Sequence, residues 1–374
     1  MIDSASRPHH AHWPRRLPRE LALPQTSLWF NLEVAATRYA DRAAYLFLGQ
    51  PLRYAQLHSQ AEALAGWLHA HGVVQGDRVI VFMQNCPQYV VAVHGVLRAD
   101  AVVVPVNPMN KADEFGHYIA DSGARVAIVS ADLADTVARA DAALPPAQRL
   151  RHLVATRYGD AMPAGEIDPA ERPAPAVLQW LQGDPPLPAG TRRWVDVLAA
   201  DHRPALHASG PDDMALLPYT SGTTGLPKGC VHTHRTLMHN VVGGGQWGYG
   251  GPESVSLGVV PMFHITGFVY GVLGSVASGG TTVILPRWDR ELAARLIARH
   301  RVSHWTCIPT MIIDMLASPD VAQFDLSSLR YLSGGGAAMP QAVAERLQRD
   351  FGLTFAEGYG LTETAAPTHA NPPE

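Results

Sequence analysis

Residues 78–106 read RVIVFMQNCPQYVVAVHGVLRADAVVVPV. The β-branched run 78–82 has strand composition, Pro87 sits where a helix can start, residues 88–97 are apolar, and 101–106 return to a valine-rich strand. A strand, a helix and a second strand at this spacing form a βαβ unit. The rhythm continues outward: 112–121 is helix-like and ends at Gly123, and 126–130 is again a strand. Strands alternating with helices of this length predict an α/β fold, with mostly parallel sheets flanked by helices.

Residues 158–210 break the rhythm with prolines at 163, 169, 173, 175, 185, 186, 188 and 204. Only 195–200 looks helical there, so the stretch reads as a long connection between two lobes. The expected organisation is a flexible leader over 1–25, a first α/β subdomain over 26–210 and a second over 211–374. The second lobe carries a strand at 255–260, a helix at 266–277 and a strand at 281–285. A helix follows over 290–301 with Asp289 as N-cap, then strands at 304–308 and 329–333, a helix opened by Pro340 and running to 351, and a strand at 353–356. No internal repeat is visible. Residues 254–286 lack Asp, Glu, Lys and Arg, but Pro261, His264 and several glycines interrupt them, which predicts a buried core unit rather than a membrane span.

The 374 residues are 47% hydrophobic and 17% charged, the balance of a globular chain. The formal net charge of -4 gives no support to nucleic-acid binding. Cys86, Cys230 and Cys307 are odd in number and far apart, which argues against a disulfide framework and fits a reducing, cytoplasmic compartment. Residues 1–20 lack the apolar core of a signal peptide.

The most flexible stretch is Tyr219-Thr220-Ser221-Gly222-Thr223-Thr224-Gly225-Leu226-Pro227-Lys228-Gly229-Cys230. Glycines, a proline and hydroxyl residues predict a loop with outward-facing amides, and Lys228 adds a positive charge, so the natural ligand is a polyphosphate. Only two of the 29 basic residues are lysines, Lys111 and Lys228. A chain that otherwise uses arginine has placed a compact point charge in its glycine loop. The order Pro227-Lys228-Gly229 is not that of the common P-loop, where Ser or Thr follows the lysine to reach Mg²⁺. An unrelated NTPase is therefore disfavoured.

Three more stretches fall at strand ends, where ligands of open α/β sheets bind. These are Pro261-Met262-Phe263-His264, Gly334-Gly335-Gly336-Ala337-Ala338 and Glu357-Gly358-Tyr359-Gly360-Leu361-Thr362-Glu363-Thr364. The glycines admit a flat base, Tyr359 could stack on it, Thr362 could bond a phosphate oxygen and Glu363 could hold Mg²⁺. Taken alone, Tyr359 is more often a packed aromatic, Glu363 a solvated charge and His264 a core histidine. His232, His234 and His239 lack a cysteine or carboxylate partner for zinc and are expected to open and line a helix.

The 219–229 loop resembles the phosphate loop of the adenylate-forming superfamily, and 358–364 its adenine and magnesium motif. The superfamily includes acyl-CoA synthetases, luciferases and peptide-synthetase adenylation domains. The resemblance spans nearly the whole chain: Leu28-Trp29-Phe30 with Arg38-Tyr39-Ala40-Asp41 resembles the opening segment, and 261–267 the aromatic gate. The overall wording is most similar to bacterial fatty acyl-CoA ligases. It implies ATP, Mg²⁺ and coenzyme A as cofactors, and an acid-thiol ligase that forms acyl-AMP and then a thioester. ATP would meet Thr220, Ser221, Gly222, Thr223, Thr224, Gly225, Lys228, Gly335, Gly336, Ala337, Glu357, Gly358, Tyr359, Gly360 and Thr362. Lys228, Thr224, His264 and Glu363 would be catalytic, with Glu363 and Thr224 at the metal.

The acid would meet His264, Thr266, Gly267, Thr310, Gly334 and Gly335, within walls formed by the helix from Thr266 and by 305–311. These walls are apolar and carry no acidic residue for an amino group, which suits a medium- to long-chain fatty acid, with an aryl acid as the alternative. The Arg-Thr-Gly-Asp segment, the hinge and the C-terminal domain with its adenylation lysine have no counterpart in these 374 residues. That implies the N-terminal part of such an enzyme, impaired in full catalysis, or a non-catalytic binding relative. Partners are then small molecules, without nucleic acid or a transmembrane segment, and the oligomeric state stays open, with a homodimer as one option.

Overall fold

The computed structural model describes residues 7–220 and 225–372; the loop residues Ser221, Gly222, Thr223 and Thr224 lie outside the described residues. Two sheets form the frame. The seven-stranded sheet runs in the order His232–Thr233, Met214–Leu216, Val102–Pro105, Arg78–Phe82, Val126–Ser130, His152–Thr156, Arg192–Arg193. Its strands pair in parallel, except at the edge where His232–Thr233 runs antiparallel to Met214–Leu216. The eight-stranded sheet runs Ala366–Ala370, Phe355–Leu361, Tyr331–Gly334, His304–Cys307, Val255–Gly258, Thr281–Ile284, Ala43–Phe47, Gln50–Arg53. It is parallel in its middle and antiparallel at both edges.

The expected α/β class and mostly parallel sheets are present, but the sheets exchange strands across the expected 210/211 division. Ala43–Phe47 and Gln50–Arg53 close the eight-stranded sheet, while Met214–Leu216 and His232–Thr233 complete the seven-stranded one. Burial explains the exchange: Tyr45 and Phe47 are fully buried beside Ile284 and cannot face water at a lobe surface. The helix Pro87–Arg98 is mostly apolar and every one of its residues is buried. It shares one core with Val79 and Val81 of one sheet and Phe47 and Ile284 of the other.

Local signals hold where the chemistry is local. Gly123 ends the helix Ala112–Ser122 at φ 64°, and Asp289 caps Arg290–His300 by accepting from the amide of Leu292 at 2.9 Å. The 158–210 connection is more regular than expected: a helix Pro175–Leu181 starts on Pro175, and Arg192–Arg193 adds an edge strand. A proline in the first turn of a helix sets φ without removing a bond, so proline density there marked a helix start as well as a turn.

Of the expected leader, residues 1–6 lie outside the described residues. Pro8–His12 forms a 3₁₀ turn, and Trp13 packs edge-on against Trp247 with ring centroids 5.3 Å apart. The Trp13 indole donates to the Leu17 carbonyl at 3.1 Å. Burial of an aromatic against a second aromatic holds this segment down. No described helix is long and apolar enough to cross a membrane; residues 254–286 form strand, helix and strand within the core, with the helix taking π geometry over Phe268–Gly274.

Candidate active site

The two ends of the glycine loop form a hairpin stalk, with Tyr219–Thr220 antiparallel to Lys228–Gly229. The stalk is pinned from the first lobe: the Tyr219 hydroxyl donates to Asp121 at 2.7 Å, the ring meets Tyr118 edge-on at 4.8 Å, and His117 Nε2 lies 2.8 Å from the Pro227 carbonyl. Burial, reinforced by the Asp121 carboxylate, pushes the Tyr219 phenol well above its ordinary value, so it stays a neutral donor. Lys228 is exposed on this stalk.

The second motif departs from expectation in shape. Residues 357–361 do not leave a strand ending at Ala356; the strand Phe355–Leu361 runs through them and turns at Thr362–Thr364 into the antiparallel Ala366–Ala370. Ala366–Ala370 carries no strand signature of its own, and this hairpin is visible only in the pairing. Glycine is required here by close approach: a Cβ on Gly335 would lie 2.2 Å from the Gly358 carbonyl, and one on Gly360 would lie 1.9 Å from that of Ala366. Gly336 turns the chain at φ +83°. The Glu357 carboxylate accepts from the Met339 amide at 3.1 Å. Tyr359 is 62% exposed, so it is not a core aromatic and offers a free ring face.

The segment after the phosphate hairpin stitches the two motifs together. His232 Nε2 lies 2.8 Å from the Thr362 carbonyl, and Asn240 Nδ2 donates to the carbonyls of Thr364 and Ala365 at 2.8 and 2.6 Å. Glu363 is near enough for its charge to raise the pKa of the Cys230 thiol, after burial, and to oppose the burial that lowers His232. Residues 133 positions apart thus share one site. His234 Nδ1 accepts from the Leu28 amide at 3.1 Å, so these histidines are structural. Among the described residues no three His, Cys, Asp or Glu side chains converge on one point. A hard cation would therefore bind through the exposed Glu363 carboxylate and ligand oxygens, the arrangement Mg²⁺ tolerates because it keeps water and phosphate ligands.

His264 caps the gate helix by accepting from the Thr266 amide at 3.3 Å. Solvent reaches the ring, yet the protein around it desolvates it enough to hold its pKa below the ordinary histidine value. The gate is held from the first lobe by Asn85, whose Oδ1 accepts from the Met262 amide at 2.7 Å. Gly267 is required because a Cβ there would lie 2.1 Å from the Pro261 carbonyl.

Behind the gate lies a cavity of about 1000 Å³. Thr266, Gly267, Gly271 and Gly274 form one wall, the glycine run of the helix His234–Trp247 another, and the pocket face of the eight-stranded sheet the floor. Several expected lining residues are elsewhere: His264, Thr310, Gly334 and Gly335 do not border the cavity, and Thr310 is exposed at the start of Pro309–Leu316. Of 305–311 only Thr306 borders it, because strand side chains alternate: Trp305 and Cys307 point into the opposite core, where Trp305 stacks on Trp288. Gly243-Gly244-Gly245 and the N-terminal Trp13 and Leu21, which no motif singled out, also border the cavity, as does Tyr270 of the helix from Thr266. The triple glycine was the readable signal.

With this geometry, the chain belongs to the AMP-binding enzyme family, whose model matches residues 32–374. It is 31% identical over 381 residues to a long-chain-fatty-acid–CoA ligase of Bacillus subtilis, covering 98% of this chain and 65% of that protein. A feruloyl-CoA synthase of Amycolatopsis is 34% identical over 317 residues, covering 85% of this chain and 55% of the relative. The inhibitor-bound N-terminal domain of FACL13 from Mycobacterium tuberculosis superposes with a TM-score of 0.78 at 26% identity, covering 92% of this chain and 78% of that one. The chain spans about 65% of the length of the long-chain-fatty-acid–CoA ligases it matches.

Proposed function

We propose that this chain supplies the acid- and ATP-binding part of an AMP-forming acid–CoA ligase, acting on a medium- to long-chain fatty acid. The observation that carries the reading is that the segment following the Lys228 hairpin is tied to the Thr362–Thr364 turn, through His232 to the Thr362 carbonyl and through Asn240, which borders the large cavity, to the carbonyls of Thr364 and Ala365. A volume of about 1000 Å³ lies at the top of the roughly 300–1,000 Å³ typical of small-molecule sites, which suits a long acyl body.

In the first half-reaction an acid oxygen attacks the α-phosphorus of ATP, an acyl–phosphate bond forms, and pyrophosphate leaves with the electron pair of the broken P–O bond. In the second, the thiol sulfur of coenzyme A attacks the acyl carbon and AMP leaves. Both reactants of the first step are anions, so charge is the main obstacle. Lys228 and the hairpin amides neutralise the polyphosphate, and Thr224 and Thr362 give it hydroxyl donors. Glu363 would hold Mg²⁺, which would supply further neutralisation. Tyr359 and the backbone of Gly335 and Gly358 take the adenine, and His264 stands at the passage to the acid cavity.

Calorimetric titration of ATP with Mg²⁺, and of a non-hydrolysable acyl-adenylate analogue, tests this directly. Saturable binding that weakens about ten- to a hundredfold in Lys228→Ala is expected, the size of one lost charge-assisted contact. Absence of binding by both ligands would refute the reading. An aryl acid is the second reading, favoured by the similarity to feruloyl-CoA synthase.

A further inference from the structure

The N-terminal segment forms part of the cavity wall. Trp13, Leu17 and Leu21 border the same cavity as Thr266 and Gly267 behind the gate. The segment lies along the helix His234–Trp247, beside its three consecutive glycines. A Cβ on Gly243 would lie 3.3 Å from Leu21 Cδ1, and the Trp13 ring meets Trp247 one turn further on. Trp247 is itself a fixed platform, its indole donating to the Asn371 carbonyl at 2.9 Å. Asn240, which bonds the Thr364 carbonyl, lies about 10 Å back along the helix axis from Trp247. The wall made by Trp13 therefore stands away from the nucleotide motif.

This wall has no core of its own. None of residues 13–26 is buried, and Arg15, Arg16 and Arg19 are exposed. Local bonds shape the segment: the Trp13 indole donates to the carbonyls of Leu17 and Pro18 at 3.1 and 3.2 Å. Arg235 anchors its far end by donating to Gln25 at 2.6 Å. Segments with so few buried apolar contacts lie at the low end of local stability. An apolar ligand in the cavity gives Trp13 and the two leucines the partner surface they lack, and they in turn take its methylenes out of water.

Resting on the ligase reading, we propose that residues 13–21 are a wall of the acyl subsite, with Trp13 packing on the part of the acyl chain remote from its carboxylate. Trp13 is then a specificity-determining residue. It favours long acyl groups over short ones, and a long chain orders the N-terminal segment as it binds.

The test is calorimetric titration of the parent protein, Trp13→Ala and Trp13→Phe with non-hydrolysable sulfamoyl adenosine analogues carrying a butanoyl or a hexadecanoyl chain. In Trp13→Ala the hexadecanoyl affinity falls about tenfold, the effect of returning about two methylenes to water, while the butanoyl affinity keeps its parent value. Trp13→Phe, which retains an aromatic wall, recovers most of the loss. Tryptic cleavage after Arg15, Arg16 and Arg19 reports the ordering: it slows several-fold in the parent protein saturated with the hexadecanoyl analogue and keeps its rate with the butanoyl one. Equal changes in the two affinities, no change in either, a rise for hexadecanoyl, or equal cleavage rates with the two analogues overturns the inference while the ligase reading stands. Failure of both analogues to bind the parent protein overturns the ligase reading and this inference with it.

Discussion

Gly271 offers a direct measure of how the cavity sets acyl length. It borders the cavity on the π-helical segment Phe268–Gly274, and a Cβ built on it meets nothing within 4 Å. A leucine there is tolerated by the backbone and projects its side chain into the space. It lies one turn beyond Gly267, roughly 6 Å deeper at about 1.5 Å per residue. Gly271→Leu therefore leaves the region next to the gate open and fills what lies beyond. The four side-chain carbons displace about four methylenes of a long chain, each contributing about 0.8 kcal/mol when buried, for a loss of about 3 kcal/mol, or more than a hundredfold in affinity. Titration with butanoyl and dodecanoyl analogues of the adenylate reads this out: the dodecanoyl affinity falls by that factor and the butanoyl affinity stays close to its starting value. Equal weakening of both chain lengths would refute the assignment of this glycine wall to the acyl end, and no change in either would show that the cavity is not where the chain goes.

Two further outcomes follow from close contact and burial. Gly335→Ala forces a Cβ against the Gly358 carbonyl, which cannot swing aside as a side chain does, so nucleotide affinity measured by calorimetry falls at least tenfold while the melting temperature drops by only a few degrees. Burial holds the His94 imidazole down to about 4, against about 6.5 when unfolded. Below pH 6.5 the unfolded chain takes up a proton that the native one refuses. This contribution to stability is complete above pH 6.5 and is lost, at about 1.4 kcal/mol per unit, as pH falls toward 4. Denaturant melts across that window show a shallower decline in His94→Leu than in the parent protein.

The fold class was legible because its signals are local. The strands Arg78–Phe82 and Val126–Ser130 coincide with their valine-rich runs, and Asp289 and Gly123 mark helix ends through bonds and dihedrals set by neighbours in sequence. The loop between Tyr219 and Gly229 was marked out by glycine, hydroxyls and a rare lysine. The strand Ala366–Ala370 did not, since Ala-Pro-Thr-His-Ala has no strand preference of its own and is ordered by pairing with Phe355–Leu361.

What the sequence by itself determined about this protein is its alternating α/β architecture and the residue types gathered for a polyphosphate. Only the tertiary structure decided which lobe each edge strand joins, that His232 and Asn240 tie the segment after the Lys228 hairpin to the Thr362–Thr364 turn, and which residues of 305–311 face the cavity. The physical reason is that propensity, capping and turn chemistry act between neighbours along the chain. Sheet order, the face a strand presents and the walls of a cavity are set by contacts between residues far apart in sequence, whose energies no local window contains.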